Sequence, residues 1–308
     1  MPSMSKDEAL AFNNTCFEAC DSLLKDPEPP PPVLHHFTDT AGMVGILQSG
    51  RLRASLASSM NDGSEIQYGL DLADTVVRER LSRHPTGFLE NALRHIKNPN
   101  LTDDHNLEVA TFVVSFCREV DHAQHWLCYG DSGYGAAITF DSALLDTARS
   151  TQSLHRVQYD LSRQKALIEK MLDRLEDAVN TNPLRSENHE ILNRLAGSAF
   201  GRALQIVTTR FKAGHFRMED EWRLLTWDLF RDRVRVTKGA APLPPIEHRA
   251  RGRLIVPYQE ILDLPPKAFK GIVLGYSSPT AKDDQGLRLL AHSRNPELII
   301  SKSTVAVR

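Results

Sequence analysis

The 308-residue chain predicts an α+β fold, a mixed and largely antiparallel sheet with an N-terminal helix and a helical insertion over about 161–212. Three observations predict it. A strand-helix-strand unit opens the main body, strand signals crowd the last third, and the stretch between them carries helical spacing without a strand. The regular strand-helix alternation of a doubly wound parallel sheet is missing.

The elements follow in order. Residues 5–25 place Phe12, Cys16, Ala19 and Leu23 at helical spacing. The run DPEPPPP (26–32) forbids helix and makes a stiff extended connector, so residues 1–32 read as a helix and linker ahead of one domain, 33–308. VLHHF is a short strand. Asp39 or Thr40 caps a helix with Met43, Ile46 and Leu47 on one face, and Gly50 stands at a left-handed stop. RLRAS is a second strand. Beyond the polar corner SSMNDGSE, residues Ile66, Leu70, Ala73 and Val77 mark another helix. Residues 84–106, broken by Pro85 and Pro99, form a helix-containing excursion.

VATFVVSFC (109–117) and YGAAITF (134–140) are rich in β-branched and aromatic residues and read as buried strands. Strands return with DEWRLLTWDL, RVRVTK, GRLIVP and GIVLGY. A helix over 280–292 and the strand ELIIS complete the order.

Composition narrows the function classes. With 37 basic against 39 acidic side chains, the net charge of −2 gives no bulk attraction to nucleic acid or membrane. A local basic groove remains open, and HRARGR (248–253) is its best candidate. The longest apolar run is far shorter than the roughly 20 residues of a membrane span. The N-terminus lacks the basic-then-apolar order of a secretory signal, and Cys16, Cys20, Cys117 and Cys128 show no zinc pairing. Together these point to a cytoplasmic protein with free thiols.

Nucleotide-loop motifs are absent. GDSGYG (130–135) precedes a strand, whereas a serine-nucleophile elbow follows one, so it reads as a turn. His122 and His125 lack a nearby third ligand, and no metal is expected. The segment FRMEDEWRLLTW (216–227) is the most informative. On a strand, Glu219, Glu221 and Arg223 share one face, and Asp220 and Trp222 take the other. An ion-paired strand edge and a working site both fit that row.

LHHFTDTAGMVGILQSGRLRAS, SSMNDGSE, VVSFCREVDHAQHWLCYGDSGYGAAITFD, RFKAGHFRMEDEWRLL and IVLGYSS together resemble a large bacterial family known only as a domain of unknown function, over roughly residues 33–290. The resemblance implies that Asn61, Asp62, Trp126, Tyr129, Lys212, Glu221 and Arg223 are family positions. More distantly, a strand ending His-x-Thr followed by a helix closing ILxxGxLxAS is similar to the first unit of ADP-ribosyltransferase folds.

That similarity implies NAD as substrate. His36 and Thr38 would hold a ribose, and Trp126, Tyr129 or Tyr134 would stack on nicotinamide. Glu221 would act on the nicotinamide ribose, Glu219 on the acceptor or water, and Arg223 on a carboxylate or phosphate. His36, the Asn61–Asp62 corner, the aromatic and Glu221 are then expected to line one cleft. ADP-ribose would go to an unknown protein or nucleic-acid acceptor, or to water, in a setting such as a toxin or phage defence. Two alternatives stand beside it. One is a metal-dependent nuclease using Asp62, Glu65, Glu219 and Glu221 with HRARGR on phosphates; the other is a non-catalytic binding module.

Overall fold

The computed structural model describes residues 4–23, 28–59, 64–97, 107–145, 152–231, 234–236, 244–251, 253–261 and 263–305. It is α+β, with an open sheet that, among the described residues, is antiparallel at every strand pairing but one.

Helix α1 (Lys6–Asp21) starts at Ser5, whose side chain and Glu8 form a reciprocal capping box. Strand β1 (Val33–Thr38) leads to α2 (Thr40–Ser49), capped by Asp39 and stopped by Gly50 at φ 71°. Then come β2 (Leu52–Leu56), α3 (Ser64–Arg83), α4 (Gly87–Lys97), β3 (Leu107–Cys117), α5 (Ala123–Cys128), β4 (Ala136–Asp141), α6 (Ser142–Leu145) and β5 (Gln152–Arg156). Helices α7 (Leu161–Thr181) and α8 (Arg185–Val207) precede β6 (Glu221–Arg231), β7 (Val234–Val236), β8 (Ile246–Arg251), β9 (Leu254–Ile261) and β10 (Phe269–Leu274). Helix α9 (Gln285–Arg294) and β11 (Ile299–Lys302), parallel to β10, close the chain.

The 161–212 segment is not an appendage. Helices α1, α3, α4, α7 and α8 share one core with Val113, Phe211 and Leu225, so together they form the layer that covers one face of the sheet. Buried Phe12, Cys16 and Cys20 tie α1 into that layer. The opposite face carries α2 and α9 over a second core that includes Leu34, Val114, Phe116, Trp222 and Leu224. Strands β5 and β8 were not foreseen: QSLHR and IEHRAR are too polar to show a strand signal. HRARGR therefore begins on a strand. No helix among the described residues is long and apolar enough to cross a membrane.

The feature that positions the site is a split in the sheet. One edge of β3 is paired along its length with β6, from Leu107↔Arg231 to Cys117↔Glu221. Its other edge is shared: β2 takes Phe112 and Val113, and β1 takes Cys117. Between them the carbonyl of Ser115 accepts a hydrogen bond from a side chain, His36 Nδ1 at 2.9 Å.

Candidate functional site

A cleft of about 860 Å³ opens at this split. Its lining comes from both faces of the sheet, with Glu65, Cys117 and Glu221 on the side of the helical layer and Gly42, Gly45 and Ile46 of α2 on the other.

At one end sits a cage of five charged side chains. Lys212 Nζ lies 2.9 Å from Glu65 Oε1 and 3.0 Å from Glu221 Oε2, and it donates to Glu219. Arg223 meets Glu221 through Nε (2.8 Å) and Nη2 (2.9 Å), reaches Glu65 Oε2 at 2.7 Å, and donates to the Thr209 carbonyl at 2.5 Å. Tyr129 donates its hydroxyl to Glu219 Oε1 at 2.9 Å, and the Glu221 amide donates to the Tyr159 hydroxyl at 3.1 Å. Side chains of both cations are only 4% exposed. Burial on this scale is tolerated because every ion meets an oppositely charged one, and Arg223 and Glu219 each gain a neutral partner as well.

The electrostatics follow from that packing. Burial alone would raise the Glu221 carboxyl, but Arg223 and then Lys212 outweigh it and hold it at about 2. Burial opposes the charge on Lys212 and Arg223, yet Glu221 foremost among their neighbours raises both. Burial, with Glu221 and Glu219 adding to it, lifts the Cys117 thiol well above its ordinary value, so this cleft-lining cysteine stays protonated.

His36 is lowered chiefly by burial, so its ring is neutral. Since a carbonyl only accepts, its Nδ1 carries the proton and Nε2 keeps a lone pair.

The cleft brings together His36, Thr38, Tyr129, Glu219, Glu221 and Arg223 among the residues named from sequence. Several expectations need correction. Glu219 and Glu221 do not sit on one strand. Glu219 ends a 3-10 turn (Gly214–Glu219), Asp220 has a left-handed φ of 36°, and the strand begins at Glu221. Asp is among the side chains that tolerate this conformation, and one such residue resets the alternation. The two glutamates meet through Lys212 instead, while Asp220 is drawn off to Arg156 (3.1 Å) and Arg118 (3.7 Å).

Trp126 is fully buried, packed edge-on to Phe37 with ring centres 4.9 Å apart, and does not line the cleft. The short helix α5 turns it inward and leaves Tyr129, three residues on, at the cleft. Tyr134 is 54% exposed and outside the cleft. Asn61 and Asp62 lie outside the described residues.

The pleat also separates the histidines. His35 pairs with Cys117, and Cys117 with Glu221, so His35 shares the face of Glu221 and His36 takes the opposite one. His36 and Glu221 reach a common cleft only because the cleft passes through the split. His35 is bonded to Thr139 Oγ1 at 3.0 Å.

The NAD reading gives no role to several residues that line the cleft, among them Glu65 at the start of α3, Lys212, Arg51, Arg53, and Arg249 on β8. Glu65 had no sequence signal beyond its place after the Asn-Asp corner; Arg249 lay in the HRARGR run.

The class this defines is an α+β protein with a split antiparallel sheet and a caged charge cluster in the resulting cleft. Residues 125–224 match the model of a family described as "Protein of unknown function (DUF2971)", a stretch that contains Tyr129, Lys212, Glu219, Glu221 and Arg223. No curated protein and no solved structure matches the chain.

Proposed function

We propose that the cleft binds NAD and that the protein breaks its nicotinamide–ribose bond, passing ADP-ribose to a macromolecular acceptor or to water. The observation that supports this reading best is convergence. His36 and Thr38 from β1, Tyr129 after α5, and the Glu219–Glu221 pair are far apart in sequence yet line one cleft.

Each group has a role that its surroundings favour. Breaking the glycosidic bond develops positive charge on the sugar, and a fixed carboxylate stabilises that charge as it forms. The sequence reading assigns this to Glu221, but both Glu221 oxygens are clamped by Arg223, one of them also by Lys212. Glu219 is bound by one cation and by the Tyr129 hydroxyl, so carboxylate and aromatic ring reach the cleft as a unit. We therefore assign Glu219 to the reacting ribose, Tyr129 to the nicotinamide ring, and Glu221 to positioning Lys212 and Arg223. His36 Nε2 accepts from a ribose hydroxyl.

The nuclease alternative asks these carboxylates to hold a metal, but the Lys212 ammonium sits among three of them.

The test is chromatographic detection of nicotinamide released from NAD by the purified full chain. Glu219→Gln should lower release on the order of 100-fold, the loss typical of one preorganised electrostatic group. NAD binding without any release would leave a binding module. Absence of both NAD binding and nicotinamide release would overturn the proposal.

A further inference from the structure

The far end of the cleft carries the opposite electrostatic character. Arg51 and Arg53 of the β2 segment and Arg249 of β8 line it, with Glu260 among them. Strand register sets Arg53, Ser55, Tyr258 and Arg249 on one face: Ser55 pairs with Tyr258, Arg53 with Glu260, and Arg249 with Val256 on the neighbouring strand. Ser55 also pairs with Val113, which places this row on the face that carries the charge cage.

Two guanidiniums converge on one ring, Arg53 at 5.1 Å and Arg249 at 5.9 Å from the centre of Tyr258. The Tyr258 hydroxyl is held by Glu247 at 2.6 Å, which fixes the ring. Arg53 meets Glu260 at 3.3 Å, and Arg51 meets Glu260 at 3.8 Å and Asp263 at 3.9 Å. Arg249 Nη2 donates to the neutral Ser55 hydroxyl at 2.9 Å. The Arg249 charge also helps depress His36, after burial.

From the other face of the sheet, α2 lines the same cleft with the small residues Ala41, Gly42 and Gly45. Gly45 lies inside the helix, and a Cβ added there would meet nothing within 4 Å. An interior glycine costs a helix about 1 kcal/mol relative to alanine, and no neighbour among the described residues requires this one.

From these observations we infer that the Arg51–Arg53–Arg249 end of the cleft is a phosphate-binding subsite, with Arg249 as its principal ligand-contacting residue and Gly45 keeping the opposite wall open. The ligand class is a nucleoside diphosphate moiety, a choice that rests on the NAD reading. Planar guanidiniums match phosphate oxygens through paired hydrogen bonds. The ring-ordered Arg53–Arg249 pair offers that geometry before a ligand arrives. Of the HRARGR run, Arg249 and Ala250 line the cleft, whereas Arg253 is exposed outside it.

Calorimetry on the full chain with ADP, adenosine and a short single-stranded oligonucleotide tests the subsite. ADP should bind about tenfold or more tightly than adenosine, a difference that charge-assisted hydrogen bonds supply and salt weakens. Arg249→Gln should erase that difference, Arg249→Lys should restore part of it, and Arg253→Gln should leave it unchanged. Gly45→Ala should weaken ADP binding in a protein that melts no lower than the parent.

Equal binding of ADP and adenosine, or an ADP preference untouched by Arg249→Gln, would overturn the inference. So would oligonucleotide binding that depends on Arg249 in a protein that does not bind ADP. Arg249-dependent ADP binding without nicotinamide release would uphold the subsite while the NAD reading fails. Nicotinamide release indifferent to Arg249→Gln would do the reverse.

Discussion

The two ends of the cleft use similar side chains in opposite ways. At the Lys212 end the charges are buried and answer one another, with cation side chains 4% exposed. At the Arg53 end the side chains of Arg51 and Arg53 are about half exposed, at 50% and 51%. A buried cage is held rigidly and is costly to break, because removing one partner leaves an uncompensated ion. An exposed guanidinium adds little to folding, since water and salt screen it, and keeps its capacity for a ligand. Similar chemistry thus serves as scaffold at one end and as recognition surface at the other.

The largest effect should come from the cage. Lys212→Met leaves Glu65, Glu219 and Glu221 without their shared cation, which should cost about 3–5 kcal/mol of stability. Urea denaturation measures it. A loss below about 1 kcal/mol would break the comparison, because the cage would then behave like a surface pair.

Acid should act on the same end. The folded Glu221 carboxyl lies at about 2 against an ordinary 4.5, so the unfolded chain binds its proton first. Its stabilising contribution is therefore complete above pH 4.5 and is lost as pH falls toward 2. His35, lowered by burial to about 4 from 6.5 despite the opposing Asp121, acts earlier in the same direction. Folding weakens as the unfolded chain takes up that proton between about pH 6.5 and 4. Circular dichroism across pH should show both windows. Glu221→Gln should flatten the lower one and leave the upper one, and an unchanged lower window would assign acid unfolding elsewhere.

The smaller effects belong to the open end. Gly45→Ala should stabilise the ligand-free protein by up to about 1 kcal/mol, the helix-propensity difference. A loss of stability would mean that the wall is already packed there. Arg53→Gln should change stability by about 0.5 kcal/mol or less at physiological salt. A thermal midpoint several degrees lower would show that the Arg53–Glu260 pair is structural.

What was legible in the sequence was local. Asp39 and Gly50 announce both ends of α2, because capping and the left-handed stop are decided within a few residues. VATFVVSFC reads as a strand from composition alone. Where a segment's face or pairing depends on distant partners, reading failed. The polar strands β5 and β8 are held by pairing with β6 and β9, which their own residues do not signal. Trp126 and Tyr129 are both aromatic and three residues apart, and only tertiary packing, with Trp126 set against Phe37, Cys117 and Ala137, distinguishes the buried ring from the one at the cleft.

By itself, then, the sequence determined both ends of α2, the apolar strands, the α+β class and the concentration of acids around Glu221. The tertiary structure alone decided which charges meet. Arg223 and Glu65 are 158 residues apart, and their 2.7 Å contact exists because α3 packs on the face of β6 from which Arg223 projects. It alone decided, too, that β1 and β2 share one edge of β3, so that His36 and Glu221 face one cleft from opposite sides of a sheet. The physical reason is common to both: capping and local propensity act within a turn or two of chain. Register, splitting and charge pairing are set by long-range burial, which no short stretch of residues encodes.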